Sequence, residues 1–167
     1  MFDVLREVEE ALPELLLLRD WHGLRVVYEP PEVERVWRPW GEHRIALHCI
    51  HPCEPGAPLF HPHPWPSIVK VLEGSYEMGV GHGPGLVAPP LAMTILAGAG
   101  TTYTMTDRDS WHFVRPLDRP SLSLMVTGPP WSREMPRGDH PPQPALAPGR
   151  MEALLQRFAE QFYPRSR

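Results

Sequence analysis

Short apolar segments separated by turn residues recur at intervals of about ten residues over most of this chain. Successive side chains of a strand point to opposite faces, so within 44–50 Ile45, Leu47 and Cys49 share one face. Several short strands with regular turns are typical of a β-sandwich or β-barrel. The predicted strands are residues 24–28, 33–40, 44–50, 68–72, 74–80, 91–96, 101–105, 112–115 and 122–127.

A helix is predicted at each end of this β region. Apolar residues of segment 2–18 recur near a 3.6-residue period, and Pro13 is expected to kink or split that helix. Segment 150–162 is amphipathic, and its apolar stripe is expected to cover a sheet. That stripe consists of Met151, Leu154, Leu155, Phe158 and Phe162. The Pro-rich segment 128–149 between the sheet and this helix is predicted to be a wrap or flap without regular structure.

Composition supports a single mostly-β domain, 1–167, with its core at about 24–130. The chain has 42% hydrophobic and 22% charged residues, and its 23 prolines disfavour long helices. A net charge of -4 provides no broad basic surface, so nucleic acid is not an expected partner. Without an apolar run of about 18 residues, no membrane span is expected either. Two cysteines and an acidic N-terminal stretch favour the cytoplasm.

Three histidines carry the main candidate chemistry. His61 and His63 are two residues apart, so an extended chain would present both imidazoles on one face. His112 lies in a second apolar segment about fifty residues later. If the two segments are neighbours, three nitrogen ligands would hold a metal ion and leave positions open for substrate or oxygen. The alternative is that these residues belong to a scattered set of nine histidines.

Segment 56–74 resembles the first motif of the cupin superfamily, in which a glycine, H-x-H, an acid and a second glycine follow in order. Segment 98–112 resembles the second motif, and the similarity extends over about 33–129. The resemblance implies a jelly-roll β-barrel, often dimeric, with a metal ion in its mouth. It places His61, His63 and His112 (already grouped above) at the metal-ligand positions.

Ser67 occupies the position at which many cupins have an acidic ligand. A cupin site with three histidines and no acid resembles the thiol dioxygenases, whose iron(II) binds a substrate thiolate and oxygen. In those enzymes a tyrosine assists the reaction from the strand that here contains Met125 and Val126. The phenol of Tyr103, on the strand before the third histidine, is the candidate replacement.

The same resemblance implies an arginine that binds the substrate carboxylate from a strand before H-x-H. Arg38 is the first candidate and Arg44 the second, because a guanidinium offers a bidentate fork to a carboxylate. The alternative for either is an exposed strand arginine. Trp65 is predicted to wall the pocket, or else to pack in the barrel mouth.

A second cluster of possible metal ligands occurs at 48–53, with two histidines and two cysteines. Strand alternation sends His48 and Cys49 to opposite faces, which argues against one zinc site there.

The expected function is that of a metal-dependent cupin, with iron(II) as the first choice and nickel, manganese or zinc as alternatives. It would act as a non-haem iron dioxygenase, an oxidoreductase that uses O2 to oxidise a small thiol or another small carboxylate-bearing metabolite. Two other functions stay open. One is a non-oxidative isomerase or lyase, which needs a general base in the pocket. The other is a cupin that binds or senses a small molecule without turnover.

Overall fold

The computed structural model describes residues 1–27, 29–132 and 142–162. Two helices lie at the ends of the chain, α1 (Phe2–Leu15) and α2 (Pro148–Phe162). Ten strands lie between them: β1 (His22–Val26), β2 (Val33–Trp40), β3 (His43–Ile50), β4 (His61–Pro62), β5 (Ser67–Glu73), β6 (Ser75–His82), β7 (Met93–Gly98), β8 (Thr102–Met105), β9 (Ser110–Pro116) and β10 (Ser121–Thr127).

The strands form two antiparallel sheets. The six-stranded sheet has the order β1-β2-β3-β10-β5-β8, and the four-stranded sheet has the order β4-β9-β6-β7. Neighbours within each sheet are largely distant in sequence, as β10 between β3 and β5 illustrates. This is a jelly-roll arrangement, so the predicted fold class, mostly β with flanking helices, is confirmed.

Both helices cover one face of the six-stranded sheet. Ile45, Leu47 and Cys49 of β3 share one face, as predicted, and this face points towards the helices, whereas Ala46 and His48 point towards the other sheet. The shared core between sheet and helices includes Leu5, Val8 and Leu12 of α1 and Leu154 and Phe158 of α2. The opposite face of the sheet is therefore left to line a space between the two sheets.

Element boundaries differ from the predictions where local sequence signals are weak. Helix α1 ends at Leu15, three residues early, and runs through Pro13, which lies in its last turn. Strand β1 begins two residues earlier than predicted, and its predicted end at Tyr28 lies outside the described residues. The two-residue strand β4 was not predicted as a strand. Part of the predicted flap, 133–141, also lies outside the described residues.

An ion pair fastens α2 to the six-stranded sheet. The Nε and Nη2 atoms of Arg150 each donate to one carboxylate oxygen of Glu34 at 2.6 Å. Hydrogen bonds from Arg150, with a contribution from His51, hold the pKa of the buried Glu34 carboxyl below its usual range. Within the described residues, no helix is long and apolar enough to cross a membrane.

We expect this ion pair to make stability depend on pH in the acidic range. A carboxyl whose folded-state pKa is depressed contributes fully above its unfolded pKa, and the contribution disappears as pH falls through the folded value. Arg150→Met should lower the free energy of unfolding at pH 7 by about 1–2 kcal/mol, a value reduced because Arg150 is half exposed. Urea unfolding at pH 7 and at acidic pH measures the difference.

The matched control is Arg6→Met, because Arg6 pairs with Asp3 on the exposed surface of α1 and should change stability little at either pH. A loss for Arg150→Met that persists undiminished in acid would show that Arg150 acts by packing, not by its charge.

Candidate metal site and cavity

The fold brings the three predicted histidine ligands together. Strand β4 pairs with β9 in the four-stranded sheet, and His61 lies directly opposite His112. Prolines at 62, 64 and 66 keep the approach to β5 extended, and β4 is an edge strand, where proline is tolerated. His63 follows β4 on the same side as His61. One ligand nitrogen from each histidine lies within 4.8 Å of the others.

Hydrogen bonds fix which imidazole nitrogen faces this point. The Nδ1 atom of His61 lies 3.0 Å from the carbonyl oxygen of Leu59, and Nδ1 of His63 lies 2.8 Å from Oγ of Ser67. The carbonyl of Leu59 can only accept, so Nδ1 of His61 donates and its Nε2 keeps the lone pair. The hydroxyl of Ser67 can accept as well as donate, and the tautomer of His63 that donates to it from Nδ1 is the one whose Nε2 is free to bind a metal ion. The Nε2 atoms of His63 and His112 approach to 2.9 Å.

This arrangement fits a metal ion. Two nitrogens bound to one ion at 2.0–2.1 Å and at right angles would lie about 2.9 Å apart. Burial lowers the pKa of His61 and takes the pKa of His63 and His112 well below the usual histidine value. All three imidazoles are therefore neutral at pH 7, which is the form that binds metals. Nδ1 of His112 is buried without a hydrogen-bond partner in the described structure.

Ser67 has a role that the sequence did not suggest. Its position was expected to hold an acidic ligand, and the serine was interpreted only as the absence of one. In the structure Ser67 is fully buried at the start of β5, and its hydroxyl contacts the outer nitrogen of His63. The contact restricts the orientation of the His63 imidazole, as second-layer hydrogen bonds commonly do for histidines that bind metal ions.

The histidines form part of the wall of a cavity of about 500 Å³ between the two sheets. Most of the remaining wall is apolar or aromatic, and none of its described residues is Asp or Glu. Among the described residues of the wall, Arg35 is the only one with a charged side chain. A bound metal ion would add positive charge to the same space. The cavity is therefore suited to a small molecule with an anionic group. Its lining includes Ile50, Phe60, Trp65, Val69, Tyr103, Trp111, Val114, Ser123 and Met125.

The structure does not bring Arg38 into this cavity. Alternation along β2 places Arg38 on the face that carries Val36, which packs with the helices. Its guanidinium donates to Asp20 at 2.8 Å and lies 5.5 Å from the ring of Trp21. The expected substrate contact of Arg38 is thus not supported by its position, because Arg38 projects from the helix-facing side of β2.

Arg35 occupies the cavity side of the same strand. Its Nε donates to Nε2 of His48 at 2.8 Å, and the two residues are cross-strand partners in β2 and β3. Burial lowers the pKa of His48 well below its usual value, so its ring is neutral and can accept this bond. The buried hydroxyl of Ser123, opposite His48 in β10, also lines the cavity. Val36 is an apolar residue of the core, and neighbouring residues of a strand face opposite ways. This alternation is the sequence signal that could have placed Arg35 on the cavity side of β2.

Arg44 and Trp65 border a smaller chamber beside the main cavity. This chamber has a volume of about 140 Å³, and Arg35, Trp65 and Met125 line both spaces. The guanidinium of Arg44 lies 4.5 Å from the ring of Trp37 and 5.6 Å from that of Trp65. Trp65 therefore lines the pocket, whereas Arg44 lines only the side chamber and is stacked between two indole rings.

Tyr103 lies on β8 in the cavity wall, with its ring centre 6.2 Å from that of His112. Its phenol oxygen accepts a hydrogen bond from the hydroxyl of Tyr76 at 3.0 Å. Burial raises the pKa of Tyr103 to about 12. The phenol is therefore neutral at pH 7, and its own proton can be donated elsewhere. Met125, at the place where a tyrosine was expected from the resemblance, lines the same cavity.

The second group of potential ligands is Glu34, Cys49 and His51, which shares only two residues with the cluster at 48–53 that strand alternation argued against. Their ligand atoms also lie within 4.8 Å of one another. Both carboxylate oxygens of Glu34 already accept hydrogen bonds from Arg150, and Arg157 lies 3.7 Å from Sγ of Cys49. His48 points away into the cavity. The guanidinium groups of Arg150 and Arg157 would repel a metal cation at this place. The group is therefore better explained as part of the contact between the six-stranded sheet and α2.

No protein-family model and no curated protein matches this sequence. Solved structures do match its fold. Hydroxypropylphosphonic acid epoxidase from S. wedmorenis is 13% identical over 65% of this chain and 55% of that chain, with a TM-score of 0.52. The iron(II) form of HppE is 14% identical over 65% of this chain and 56% of that chain, and its TM-score is also 0.52. KdgF from Halomonas sp. is 16% identical over 68% of this chain and 90% of that chain, with a TM-score of 0.46.

The chain spans a little over half the length of the epoxidase structures. At these identities the similarity concerns the fold. The chain therefore has a jelly-roll fold similar to that of the epoxidase structures, and three histidines that can hold a metal ion lie in the wall of its cavity.

Proposed function

We propose that this protein is an iron(II)-dependent oxygenase that oxidises a small anionic metabolite, either a thiol or another carboxylate-bearing molecule. The observation that carries the proposal is the convergence of three neutral histidines on a cavity in whose described wall an arginine is the only charged residue. Three protein ligands leave positions on an iron ion for a substrate atom and for O2. Bound iron would supply the electron transfer that O2 chemistry requires.

The remaining wall residues have assignable roles. Arg35 binds the anionic group of the substrate and thereby fixes the orientation of its reactive end towards the histidines. The phenol of Tyr103 donates a hydrogen bond from its oxygen into the cavity, while Tyr76 holds that oxygen in place. Apolar residues such as Val69 and Trp111 limit the access of water.

The comparisons are consistent with this choice of metal and substrate charge. One structure with the same fold is an iron(II) form, and another is named for a phosphonic acid. The iron(II) ion and the phosphonic acid are properties of those structures, not of this chain. For this chain the arginine and the absence of wall carboxylates among the described residues favour an acid as substrate. We expect the protein in the cytoplasm, where iron(II) and the two free cysteines would stay reduced.

A non-oxidative isomerase or lyase would need a general base near the metal ion. The described cavity wall contains no Asp or Glu, the pKa of Tyr103 is too high for a base at pH 7, and Nε2 of the neutral His48 already accepts a hydrogen bond from Arg35. This reaction class is therefore less well supported. A binding or sensing protein would have the same cavity and the same histidines, and it would differ only in that it does not turn over a substrate.

The deciding experiment is anaerobic loading with iron(II), followed by measurement of oxygen uptake over a panel of small thiols and oxo acids. We expect uptake above the free-iron background with at least one compound, together with an oxidised product by mass spectrometry. Tight iron binding without uptake by any compound would contradict the oxygenase proposal and favour sensing. Product formation without oxygen consumption would favour the isomerase or lyase.

The hydroxyl of Ser67 should contribute to metal affinity. Ser67→Ala removes the contact with Nδ1 of His63, so the imidazole loses its fixed orientation, and iron(II) affinity should fall about 10- to 100-fold. Competition with a chelator under anaerobic conditions measures this change. Ser121→Ala is the matched control, since Ser121 is equally buried and its hydroxyl has no hydrogen-bond partner in the described structure. Equal effects of the two substitutions would exclude a specific role for Ser67.

A further inference from the structure

The wall of the main cavity contains one polar row that crosses three strands of the six-stranded sheet. Arg35 of β2 and Ser123 of β10 are both cross-strand partners of His48 in β3. Cross-strand partners project from the same face of a sheet, and all three residues line the cavity. We call these three residues the polar row. On the two sides of His48 the row therefore offers a guanidinium and a hydroxyl to a molecule in the cavity.

The hydroxyl of Ser123 has no use within the described structure. Ser123 is 1% exposed, and its Oγ is buried without a hydrogen-bond partner among the described residues. Burying a hydroxyl without a hydrogen bond costs free energy, so such groups are usually satisfied by protein, water or ligand. Because Ser123 lines the cavity, an oxygen atom of a bound molecule can accept a hydrogen bond from it.

The cavity wall is apolar one step further along the same strands. Val33 of β2 and Ile50 of β3 are cross-strand partners, and each lies two residues from the polar row, which is about 7 Å along a strand. Both line the cavity together with three apolar residues from outside the six-stranded sheet, Leu59, Leu86 and Val114. We call these five residues the apolar wall. The cavity thus has a polar part and an apolar part.

The volume of the cavity is large for a small polar acid. Pockets that enclose a drug-sized molecule have volumes of roughly 300–1,000 Å³, and this cavity, at about 500 Å³, lies within that range. A very small acid bound at the polar row would leave water against the apolar wall. A ligand that covers this wall with its own apolar surface removes both surfaces from water, which is favourable in proportion to the area buried.

We propose that the substrate is an amphipathic acid, whose acid group is bound by Arg35 and Ser123 and whose alkyl or aryl body lies against the apolar wall. This inference rests on the proposed function for the role of Arg35, and it narrows the substrate from small acids in general to acids with an apolar body. Acids whose other end is polar are disfavoured, because that end would lose its hydrogen bonds to water at the apolar wall.

Isothermal titration calorimetry of the full chain tests this inference under anaerobic conditions, with and without added iron(II). The ligands are straight-chain and phenyl-substituted monocarboxylic acids of increasing length, each compared with a dicarboxylic acid of equal length. Affinity for the monocarboxylic acids should rise about three- to fourfold per added methylene until the cavity is full, which is the effect of burying one methylene group. The dicarboxylic acids should not show this rise.

This measurement does not require turnover, so its failure is distinct from failure of the oxygenase proposal. A rising series without oxygen uptake by the iron-loaded protein would contradict the oxygenase and support the amphipathic ligand. Oxygen uptake with a small polar acid, together with a flat series, would support the oxygenase and overturn the amphipathic ligand.

A larger side chain in the apolar wall should shorten the series. Val114→Trp fills part of the apolar space, so affinity should stop rising at a shorter acid while the shortest acids bind as before. Val33→Trp, at a half-buried position of the same wall, serves the same purpose if Val114→Trp does not fold. The matched control is Leu17→Trp, at a residue beside α1 that is 75% exposed, and it should leave the whole series unchanged. A series that keeps its full length in both wall variants would overturn the inference.

The contact of Ser123 with the acid group should affect every acid equally. Ser123→Ala should lower affinity about tenfold for short and long acids alike, since one hydrogen bond to a charged group is lost, and the gain per methylene should stay the same. Ser121→Ala is the matched control. Ser121 is on the same strand, is fully buried and also has a hydroxyl without a partner in the described structure, but it does not line the cavity. Equal affinities of the two serine variants for every acid would overturn the assignment of the acid group to the polar row.

Discussion

Replacing His63 by alanine is expected to abolish tight iron(II) binding and, with it, oxygen uptake. His63 is 9% exposed, and its Nε2 lies 2.9 Å from that of His112. Removing one of three ligands leaves two, and affinity should fall by more than the roughly 100-fold that loss of a supporting contact can cause. Anaerobic equilibrium dialysis followed by elemental analysis gives the stoichiometry, and His61→Ala and His112→Ala should behave alike.

The matched control for this prediction is His82→Ala. The side chain of His82 is 62% exposed, and its ring contacts Asp107 at the surface. This variant should keep one iron per chain and full oxygen uptake. If His63→Ala instead retains one tightly bound iron, the three-histidine cluster is not the metal site.

Much of the fold follows from short-range sequence signals. The alternation in 44–50 identified Ile45, Leu47 and Cys49 as one buried face because two-residue periodicity is a strong constraint in a strand. The stripe of α2 was equally clear, and Leu154 and Phe158 are buried as expected. The ends of elements were less predictable. Pro13 was expected to break α1, but a proline in the last turn affects few backbone bonds, so the helix continues to Leu15.

The site was only partly predictable, because its composition depends on which strands become neighbours. The spacing of His61 and His63 implied a shared face, but their meeting with His112 required the pairing of β4 with β9. The contact of Ser67 with His63 depends on the bend between β4 and β5, which no local pattern specifies. Arg38 does not reach the cavity because β2 has one face towards the helices and one towards the other sheet, and Arg38 lies on the helix side whereas Arg35 lies on the cavity side.

Replacing Arg35 by methionine is expected to reduce kcat/KM by about 10- to 150-fold for the acid that is the best substrate in the oxygen-uptake panel. This is the change expected when one or two hydrogen bonds from a charged group to the substrate are lost. Arg35 is the only charged residue on the described wall of the main cavity, and it also borders the side chamber. Its partner His48 holds the guanidinium through Nε, which limits the conformations available to it. Binding that is equal in ground state and transition state raises KM when lost, so most of the change should appear in KM.

Arg38→Met on the same strand discriminates between the two arginines. Arg38 binds Asp20 and stacks near Trp21 on the helix side of β2, so its loss should alter the melting temperature more than KM. Iron stoichiometry should be unchanged in both variants, which separates substrate binding from metal binding. A reversed result, with KM raised in Arg38→Met and unchanged in Arg35→Met, would reinstate Arg38 as the carboxylate-binding residue. It would also mean that the substrate enters from the helix side of β2, since residues 35 and 38 of one strand face opposite ways.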